Sequence, residues 1–577
     1  MNRRWITAPC DDGAVARLAG DLDLPEWIAR CLIHRGHATP EAASEFLDPR
    51  LRNLADPLLI PNLRPAVERL FRQRESGEPL VVFGDYDVDG VTSTAILKSG
   101  FERLGWRIHP YLPHRLDEGY GLSQAGVEAC LERFPVSLLL AVDCGSTAVE
   151  PIALLNARGV DVLVLDHHQV STPPPAALAL VNPQLGAPGE RSFRELCSAG
   201  LAFKLLHAVV KSGREQGLAE FATLDLREFL DLVALGTVAD LVPLVGENRI
   251  LVTAGLQRLT DTQRPGLVAL KEVSGISGAV GAQEVGYQLG PRLNAAGRLE
   301  TATASLDLLL ATDLAAARPL AAALDGINRD RQTLEREITE AVLAQTRSRH
   351  VPERDWVIVE GQPHWHLGVV GIVASRVLRE FHRPTLILGG DTDSLHWRGS
   401  GRSIAGFDLA AALRECDDLL VKHGGHAMAA GVTLEFSRLD ALRERLNQLA
   451  RASLSAEQLI PELRIDAWVG LPDLNLDTLE QLERLEPFGM ENPSVQLAIS
   501  RVHLAGVPMR MGKNRQHVKL TLTDGIARVE AVWWNAGDAA LPTGEFDVAG
   551  VPQINEYAGR RTVQVRWLAH RQCSARR

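Results

Sequence analysis

Three aspartates fall within five residues of "PLVVFGDYDVDGVTSTAIL" (79–97): Asp85, Asp87 and Asp89, directly after an apolar run. Carboxylates that close repel one another unless a positive charge lies between them. Two more apolar runs end in ligand-type residues, "LLLAVDCGS" in Asp143 and "VLVLDHH" in Asp166, His167 and His168. A fourth stretch, "LVALGTVADLVPL", is interrupted by Asp240. Each has an ordinary reading on its own: a solvated turn or helix start, a surface histidine pair, a capping residue. Together they supply at least five carboxylates and two imidazoles. An oxygen-rich set with histidine suits manganese or magnesium better than zinc, which more often takes Cys or three His. The set is large enough for two divalent cations sharing one Asp. Two ions about 3.5–4 Å apart suit in-line displacement at a phosphate ester.

These residues must be brought together by the elements that carry them. "PLVVF" reads as a strand, "GVTSTAILKSGFERLG" as a helix, "RIHPYL" as a strand and "SQAGVEACLERF" as a helix. "VSLLLAVD", "AVEPIALLNARG" and "VDVLVLDHH" continue the alternation. Short apolar strands alternating with helices predict βαβ units around a buried parallel sheet. Ligands of such sheets bind outside the carboxyl ends of the strands, where the charged residues stand. Gly90, opening the helix after the aspartates, is expected to leave N–H groups free for a phosphate.

The rest of the chain divides by texture. Residues 1–75 read as a helical segment, with Thr39 as an N-cap before Pro40. The α/β block at 76–311 precedes a breaker-poor stretch, 312–349, predicted as one connecting helix. A second α/β block is expected at 350–456, and a small β-barrel at 457–577. The composition, 46% hydrophobic and 23% charged, is that of a globular protein, and no apolar run is long enough to span a membrane. Seven cysteines without a C-x-x-C pair, and a start lacking an apolar leader, fit a reducing cytoplasm. The net charge of −11 does not exclude nucleic acid, because a basic groove can be local.

"DYDVDG", "VDCGS", "DHH" and "ALGTVAD" resemble the successive motifs of the DHH phosphoesterase superfamily. Further strings extend the resemblance over almost the whole chain: "GYGLS" (119–123), "GPRLNAAGRL" (290–299), "HWHLGVVGIVASR" (364–376), "GSGRS" (399–403), "GGHAMAAG" (424–431) and "EPFGMENPSVQLAI" (486–499). The "GGH" block is similar to the DHHA1 domain of nucleases in this superfamily, and "EPFGMENPSVQLAI" resembles the entry to their C-terminal oligonucleotide-binding (OB-type) barrel. The resemblance implies a 5′-to-3′ exonuclease specific for single-stranded DNA, serving repair and recombination. It also implies a monomer in the cytoplasm, with a single-stranded-DNA-binding protein and a helicase as partners and no membrane. Asp87, Asp89, Asp143, His167 and Asp240 would ligate two Mn2+ (or Mg2+) ions, with Asp143 bridging. Asp85 would ligate directly or hold a water. His168 would face the scissile phosphate and Asp166 would orient an imidazole. Two positions depart from the pattern: Phe83 stands where relatives carry His, and Cys144 where they carry Asn. If the fold matches, position 83 points toward the ion of Asp87 and Asp143, unless Phe83 is packed in the core.

Phosphate recognition favours arginine. Arg402, with Ser400 and Ser403 in "GSGRS", is the expected grip on a substrate phosphate, helped by Arg376, Arg298 and His426. Its glycine neighbours suggest close backbone approach with free N–H groups. In the barrel, Arg501, Arg510, Lys513, Arg515 and Lys519 lie in an acid-free stretch, and six Arg follow from residue 557. Trp533, Trp534 and Trp567 are interleaved with them, as in a groove where bases stack. Strand alternation puts one of Trp533 and Trp534 inside and one outside. Other readings are a phosphatase of very short oligonucleotides, a pyrophosphatase and a catalytically silent scaffold. The long barrel, the "GGH" block and the retained carboxylates count against these in turn.

Overall fold

The computed structural model describes residues 3–573 except 115–116, 120, 187–192, 300, 391–394 and 558. Tyr120 of "GYGLS" and Arg576 and Arg577 of the arginine-rich end lie outside the described residues. The chain forms two compact units. The larger comprises Trp5–Asn294, Thr301–Ala322 and the chain from Arg464 onward; the smaller is chiefly Ala323–Leu463, with the stretch that starts at Ala295.

In the larger unit, five parallel strands form one sheet: β1 (Leu80–Gly84), β2 (Ile108–Tyr111), β3 (Leu138–Val142), β4 (Asp161–Leu165) and β5 (Ala179–Val181), in the order β2-β1-β3-β4-β5. All five residues of β1 and of β3 are buried, as expected of strands covered on both faces. Each fully buried Val, Leu or Phe there contributes about 1.5–3 kcal/mol. Register pairs Gly84 with Val142 and Val142 with Leu165, so the three strands end side by side. The helices Val88–Arg103, Ser198–Glu215 and Leu230–Ala239 meet at Gly236. A Cβ there would lie 2.4 Å from Thr92 Oγ1, 2.6 Å from Ala199 Cβ and 3.0 Å from Asp89 Oδ1, so only glycine permits the crossing.

The same unit holds a barrel-like sheet of β11 (Ala467–Val469), β12 (Leu497–Leu504), β13 (Met509–Met511), β14 (His517–Thr523), β15 (Arg528–Trp533), β16 (Phe546–Tyr557) and β17 (Arg560–Gln572). It is not an isolated module. Val15, Leu18, Trp27, Ile28 and Leu32 of the N-terminal helices share one apolar core with Val469, Leu485, Leu497, Val548 and Trp567. Trp533 stacks on Trp567 at 5.3 Å while Trp534 is half exposed, the predicted inside–outside pair.

The helix Leu314–Arg349, 36 residues long, matches the stretch predicted as one helix. In the smaller unit a five-stranded sheet has β6 (Ile358–Gly361), β7 (Thr385–Gly389), β8 (His396–Arg402), β9 (Lys422–His426) and β10 (Ala429–Glu435), in the order β9-β10-β8-β7-β6. The helix Val370–Phe381 packs on it through Val373 and Val377, beside Ile338 and Val342 of the long helix.

Gly236→Ala should destabilise the protein by about 1–3 kcal/mol, the cost of overpacking a filled core, less the small helix-propensity gain of alanine. Urea titration of the full chain measures it, and an unchanged midpoint would show that the crossing has slack.

Candidate functional site

The strand order reverses between β1 and β3, the switch point at which open α/β sheets bind ligands. Asp85, Asp87 and Asp89 follow β1, Asp143 follows β3, and Asp166, His167 and His168 follow β4. Asp240 caps the C-terminus of the Leu230–Ala239 helix. The structure thus brings together every sequence-expected ligand. One oxygen each of Asp85, Asp87 and Asp143 lie within 4.8 Å of one another, and so do ligand atoms of Asp89, His167 and Asp240. His167 Nε2 is 3.6 Å from Asp143 Oδ1, 3.4 Å from Asp240 Oδ2 and 3.9 Å from Asp89 Oδ2.

Asp143 Oδ2, His167 Nε2 and Asp240 Oδ2 are buried without a hydrogen-bond partner among the described residues. Buried polar atoms are almost always paired, and unpaired atoms of this chemistry aimed at one point fit divalent cations. Asp143 also holds a left-handed backbone, φ 64°, which costs a non-glycine residue about 1–3 kcal/mol and persists only where its surroundings enforce it.

The remaining lone pairs are used to fix the ligands. Asp87 is the N-cap of the Val88–Arg103 helix, its Oδ1 accepting from Asp89 N (2.9 Å) and Gly90 N (3.1 Å). Val88 N donates to Asn294 Oδ1. The N–H groups expected to be free for a phosphate are therefore taken, because a cap residue satisfies the first turn. Asp89 accepts from Ser198 N (2.7 Å) and Ala199 N (2.8 Å) at the start of the Ser198–Glu215 helix, whose positive end favours a carboxylate. Ser198 Oγ donates to Asp143 Oδ1 at 2.8 Å.

Burial and crowding set the protonation. Burial first, then neighbouring carboxylates, push Asp143 well above the usual range, Asp85 to about 7 and Asp240 to about 9. Asp89 is raised by burial and by Asp87. Asp166 goes the other way. Burial alone would raise it, but the bond from His168, with those from Ser146, outweighs burial and keeps it ionised. Its carboxylate accepts the backbone N–H groups of Ser146, His167 and His168 and lies 2.8 Å from His168 Nδ1. That bond raises His168 to about 9, against burial, and fixes its ring through Nδ1; a ring nitrogen of His168 lies within 4.8 Å of ligand atoms of Asp143 and His167. Burial lowers His167, which suits a neutral ligand. Asn182, wholly buried, donates to Ser146 Oγ and His168 O and locks the loop.

Family models match the N-terminal domain of the DHH family over residues 79–237, the DHHA1 domain over 355–452 and the RecJ OB domain over 465–568. The chain is 36% identical over 567 residues to the single-stranded-DNA-specific exonuclease RecJ of Bacillus subtilis (strain 168), spanning 97% of this chain and 70% of that protein. It is 36% identical over 565 residues to the enzyme of the same name from Dickeya dadantii (strain 3937), spanning 94% and 95%. The chain belongs to the RecJ family. The crystal structure of RecJ in complex with Mn2+ from Thermus thermophilus superposes with a TM-score of 0.83 at 32% identity, covering 99% of this chain and 80% of that one.

Phe83 packs in the apolar core rather than in the carboxylate cluster. It is wholly buried, stacks on Tyr111 at 5.1 Å and belongs to the core with Val81, Val127 and Ala141. The expectation that position 83 faces the cluster is corrected by strand alternation, which turns it into the face packed against the Gln124–Arg133 helix. Cys144 lies in the same core, its thiol pushed up by burial.

The smaller unit carries a second group. Arg402 ends β8, which is paired on both sides, so it stands on a rigid sheet and its neighbours' N–H groups belong to the ladder rather than being free as expected. Its Nη1 donates to Ser400 Oγ (3.0 Å) and Gly401 O (2.8 Å). No carboxylate lies within ion-pair distance of Arg402 among the described residues, and burial lowers its pKa. A Cβ on Gly371 would lie 3.0 Å from Ser400 Oγ and 3.2 Å from Arg402 Nη2, so the Val370–Phe381 helix starts over this pair. Register sets Arg402 opposite Ala429, and Ala429 opposite exposed His426, on one face with only a methyl between. Arg376 is held by Glu335 at 2.5 Å, and Arg298 Nη1 donates to Gly368 O. Ser403 turns inward, its hydroxyl donating to Phe407 O at 2.7 Å, and is committed to that turn.

Ser198, Asn182 and Asn294 escaped the sequence reading. A serine after "LC" or an asparagine before "PQ" has no local signature, since each acts through contacts far along the chain.

Asp143→Asn should lower turnover by more than roughly 100-fold, beyond the ~10–100-fold that loss of an outer partner costs. The metal-free melting temperature should hold or rise, because a carboxyl that burial and its neighbours force to stay protonated is gone. A melting temperature that falls while turnover persists would remove Asp143 from the centre.

Raised folded-state pKa values on Asp85 and Asp240 mean that these carboxyls stabilise the metal-free fold at low pH. That contribution is lost as pH rises through about 7 and about 9. The metal-free protein should therefore melt progressively lower across that window. Mn2+ affinity should rise over the same window as protons stop competing. Calorimetry at several pH values checks the sign; affinity falling with pH would contradict it.

Proposed function

We propose that this chain is a metal-dependent exonuclease that hydrolyses single-stranded DNA from 5′ to 3′. The observation that carries it is the convergence of buried, unpartnered ligand atoms at the switch point of a RecJ-family fold. Asp85, Asp87 and Asp143 would hold one divalent cation. Asp89, His167 and Asp240, with Asp143 shared, would hold the other. When bound, Mn2+ or Mg2+ supplies the Lewis-acid charge for in-line displacement at phosphorus.

The chain's own residues do the rest. His168, charged and oriented by Asp166, presents Nε2 to stabilise or protonate the reacting phosphate. Arg402 and Ser400, on a rigid strand beneath a helix start, grip a substrate phosphate; His426 shares their face. Arg376 and Arg298 add positive charge and Ser403 shapes the turn. Residues 76–311 would then be the catalytic DHH domain, 312–349 the connecting helix, 350–456 the DHHA1 domain and 457–577 the nucleic-acid-binding barrel, with 1–75 bracing it.

A role in repair and recombination, a monomeric state, a cytoplasmic location and partnership with a single-stranded-DNA-binding protein and a helicase belong to this reading. All seven cysteines are free and no described helix is long and apolar enough to cross a membrane, which is compatible with it.

Digestion of 5′-labelled single-stranded and duplex DNA, and of pyrophosphate, with Mn2+ and with chelator, tests the activity. Early release of labelled short product from the single strand, abolished by chelator, is expected. Cleavage of pyrophosphate alone would replace the reading.

Arg402→Ala should raise KM for 5′-phosphorylated single strands by about 10–100-fold, the worth of a charge-assisted bond. Turnover at saturation should change much less. Unchanged discrimination between 5′-phosphate and 5′-hydroxyl strands would remove Arg402 from the end grip.

A further inference from the structure

The barrel's lead-in, "EPFGMENP" (486–493), touches no residue of the cluster, yet it lies against the turn that delivers Asp240. We infer that this loop is a strut for Asp240: the contact of Gly489 and Met490 with Leu244 positions that carboxylate in the metal centre. The inference rests on Asp240 being a ligand, as proposed above.

Asp240 ends its helix, and the chain then reverses through Leu241, whose φ of 61° is left-handed. Leu241 is 68% exposed, so burial does not hold it there. A strained residue persists only where its surroundings determine it. Here the anchor is Leu244, 2% exposed. Its N–H donates to Met490 O at 2.9 Å. A Cβ on Gly489 would lie 2.6 Å from Leu244 Cδ1 and 3.1 Å from Cγ, so the loop backbone rests directly on this side chain. On the other side, Asn248 Nδ2 holds Pro243 O at 2.9 Å. The turn is clamped from both ends.

The strut itself is stiff. Asn492 is wholly buried, and its amide donates to Leu485 O (2.8 Å) and Pro487 O (2.9 Å). Arg35 Nε donates to Asn492 Oδ1 at 2.8 Å, and Gly489 N donates to Asn492 O at 2.8 Å. Arg249, on the helix Gly246–Thr260 that follows the turn, donates to Leu485 O and Arg484 O, both at 3.0 Å. Loop and turn are thus fastened to each other at Leu244, and the segments that flank them are fastened again at Arg249. A loop that served only to start the barrel would not need to meet the residue four positions beyond a ligand.

The test uses the full chain. Mn2+ binding is measured by calorimetry, and single-strand binding in chelator is measured beside it. Gly489→Ala places a methyl against Leu244 and should weaken Mn2+ binding by about tenfold, the scale of an outer positioning contact, with metal-free DNA binding unchanged. Gly489→Ala with Leu244→Ala relieves the overlap and should recover part of that loss. Leu244→Ala alone, which removes the contact, serves if the first variant does not fold, and should also weaken Mn2+ binding. Wild-type Mn2+ affinity in the folded variants, with Asp240→Asn impaired, would overturn the strut. Wild-type affinity in Asp240→Asn would instead overturn the ligand reading on which it rests.

Discussion

Repulsion among carboxylates at the carboxyl ends of β1 and β3 is the constraint that the rest of this structure serves. One oxygen each of Asp85, Asp87 and Asp143 sit within 4.8 Å of one another. At an effective dielectric near 20, each ionised pair at that separation would cost about 3 kcal/mol, so three pairs would cost about 10. That rivals the whole net stability of a domain, about 5–15 kcal/mol. The fold cannot carry these charges bare. Either protons sit on the carboxyls, as the upward shifts of Asp85 and Asp143 express, or cations do.

The same neighbourhood holds a carboxylate with the opposite character. Asp166 is as buried as Asp143 but accepts three backbone N–H groups and the His168 ring. Partners rather than depth separate the two. Asp166 is satisfied by protein and so can orient an imidazole. Among the described residues Asp143 accepts only from Ser198, on Oδ1, and its other oxygen has no partner there. A ligand and an orienting residue are distinguished here by where the spare lone pairs point.

Much of this was legible in the sequence because strand ends announce themselves. An apolar run that stops at Asp marks both the strand and the edge at which its side chain emerges, so Asp85, Asp143 and Asp166 could be placed in one crevice before any coordinates. What failed was orientation within an element. Phe83 lies one residue before the strand's last, and alternation, not proximity, decided that it packs on Tyr111. Gly90 sits at a helix start whose amides a neighbour three residues back had already taken. Arg402, in a glycine-rich string expected to leave N–H groups free, stands in a strand paired on both sides. Ser198 and Asn294 act across about 55 and about 200 residues of chain, and no window of sequence shows a partner that distant.

The barrel's dependence on the N-terminal helices was the least legible feature, and the reason is physical. Strand texture begins near residue 460 and invites a cut there, with a detachable barrel beyond it. Yet Val469, Leu485 and Val548 complete a core with Ile28 and Leu32, more than four hundred residues earlier. Arg35 and Asp466 pair at 3.5 Å with both side chains nearly buried, and breaking such a pair by removing one partner leaves an uncompensated charge costing about 3–5 kcal/mol. The N-terminal helices, about two to three turns long, could not bury their apolar faces alone, so they borrow the barrel's surface. The barrel in turn reaches the helix Gly246–Thr260 through Arg249, whose guanidinium lies over Phe46 at 3.7 Å and whose N–H groups close the carbonyls of Phe46, Arg484 and Leu485. One cation thereby ties the third N-terminal helix, the barrel's lead-in and the helix that follows Asp240. Deleting the barrel would strip a shared core and two of Arg249's three acceptor carbonyls at once, so its contribution to nucleic-acid binding is separable only by substitutions on its exposed strands, not by truncation.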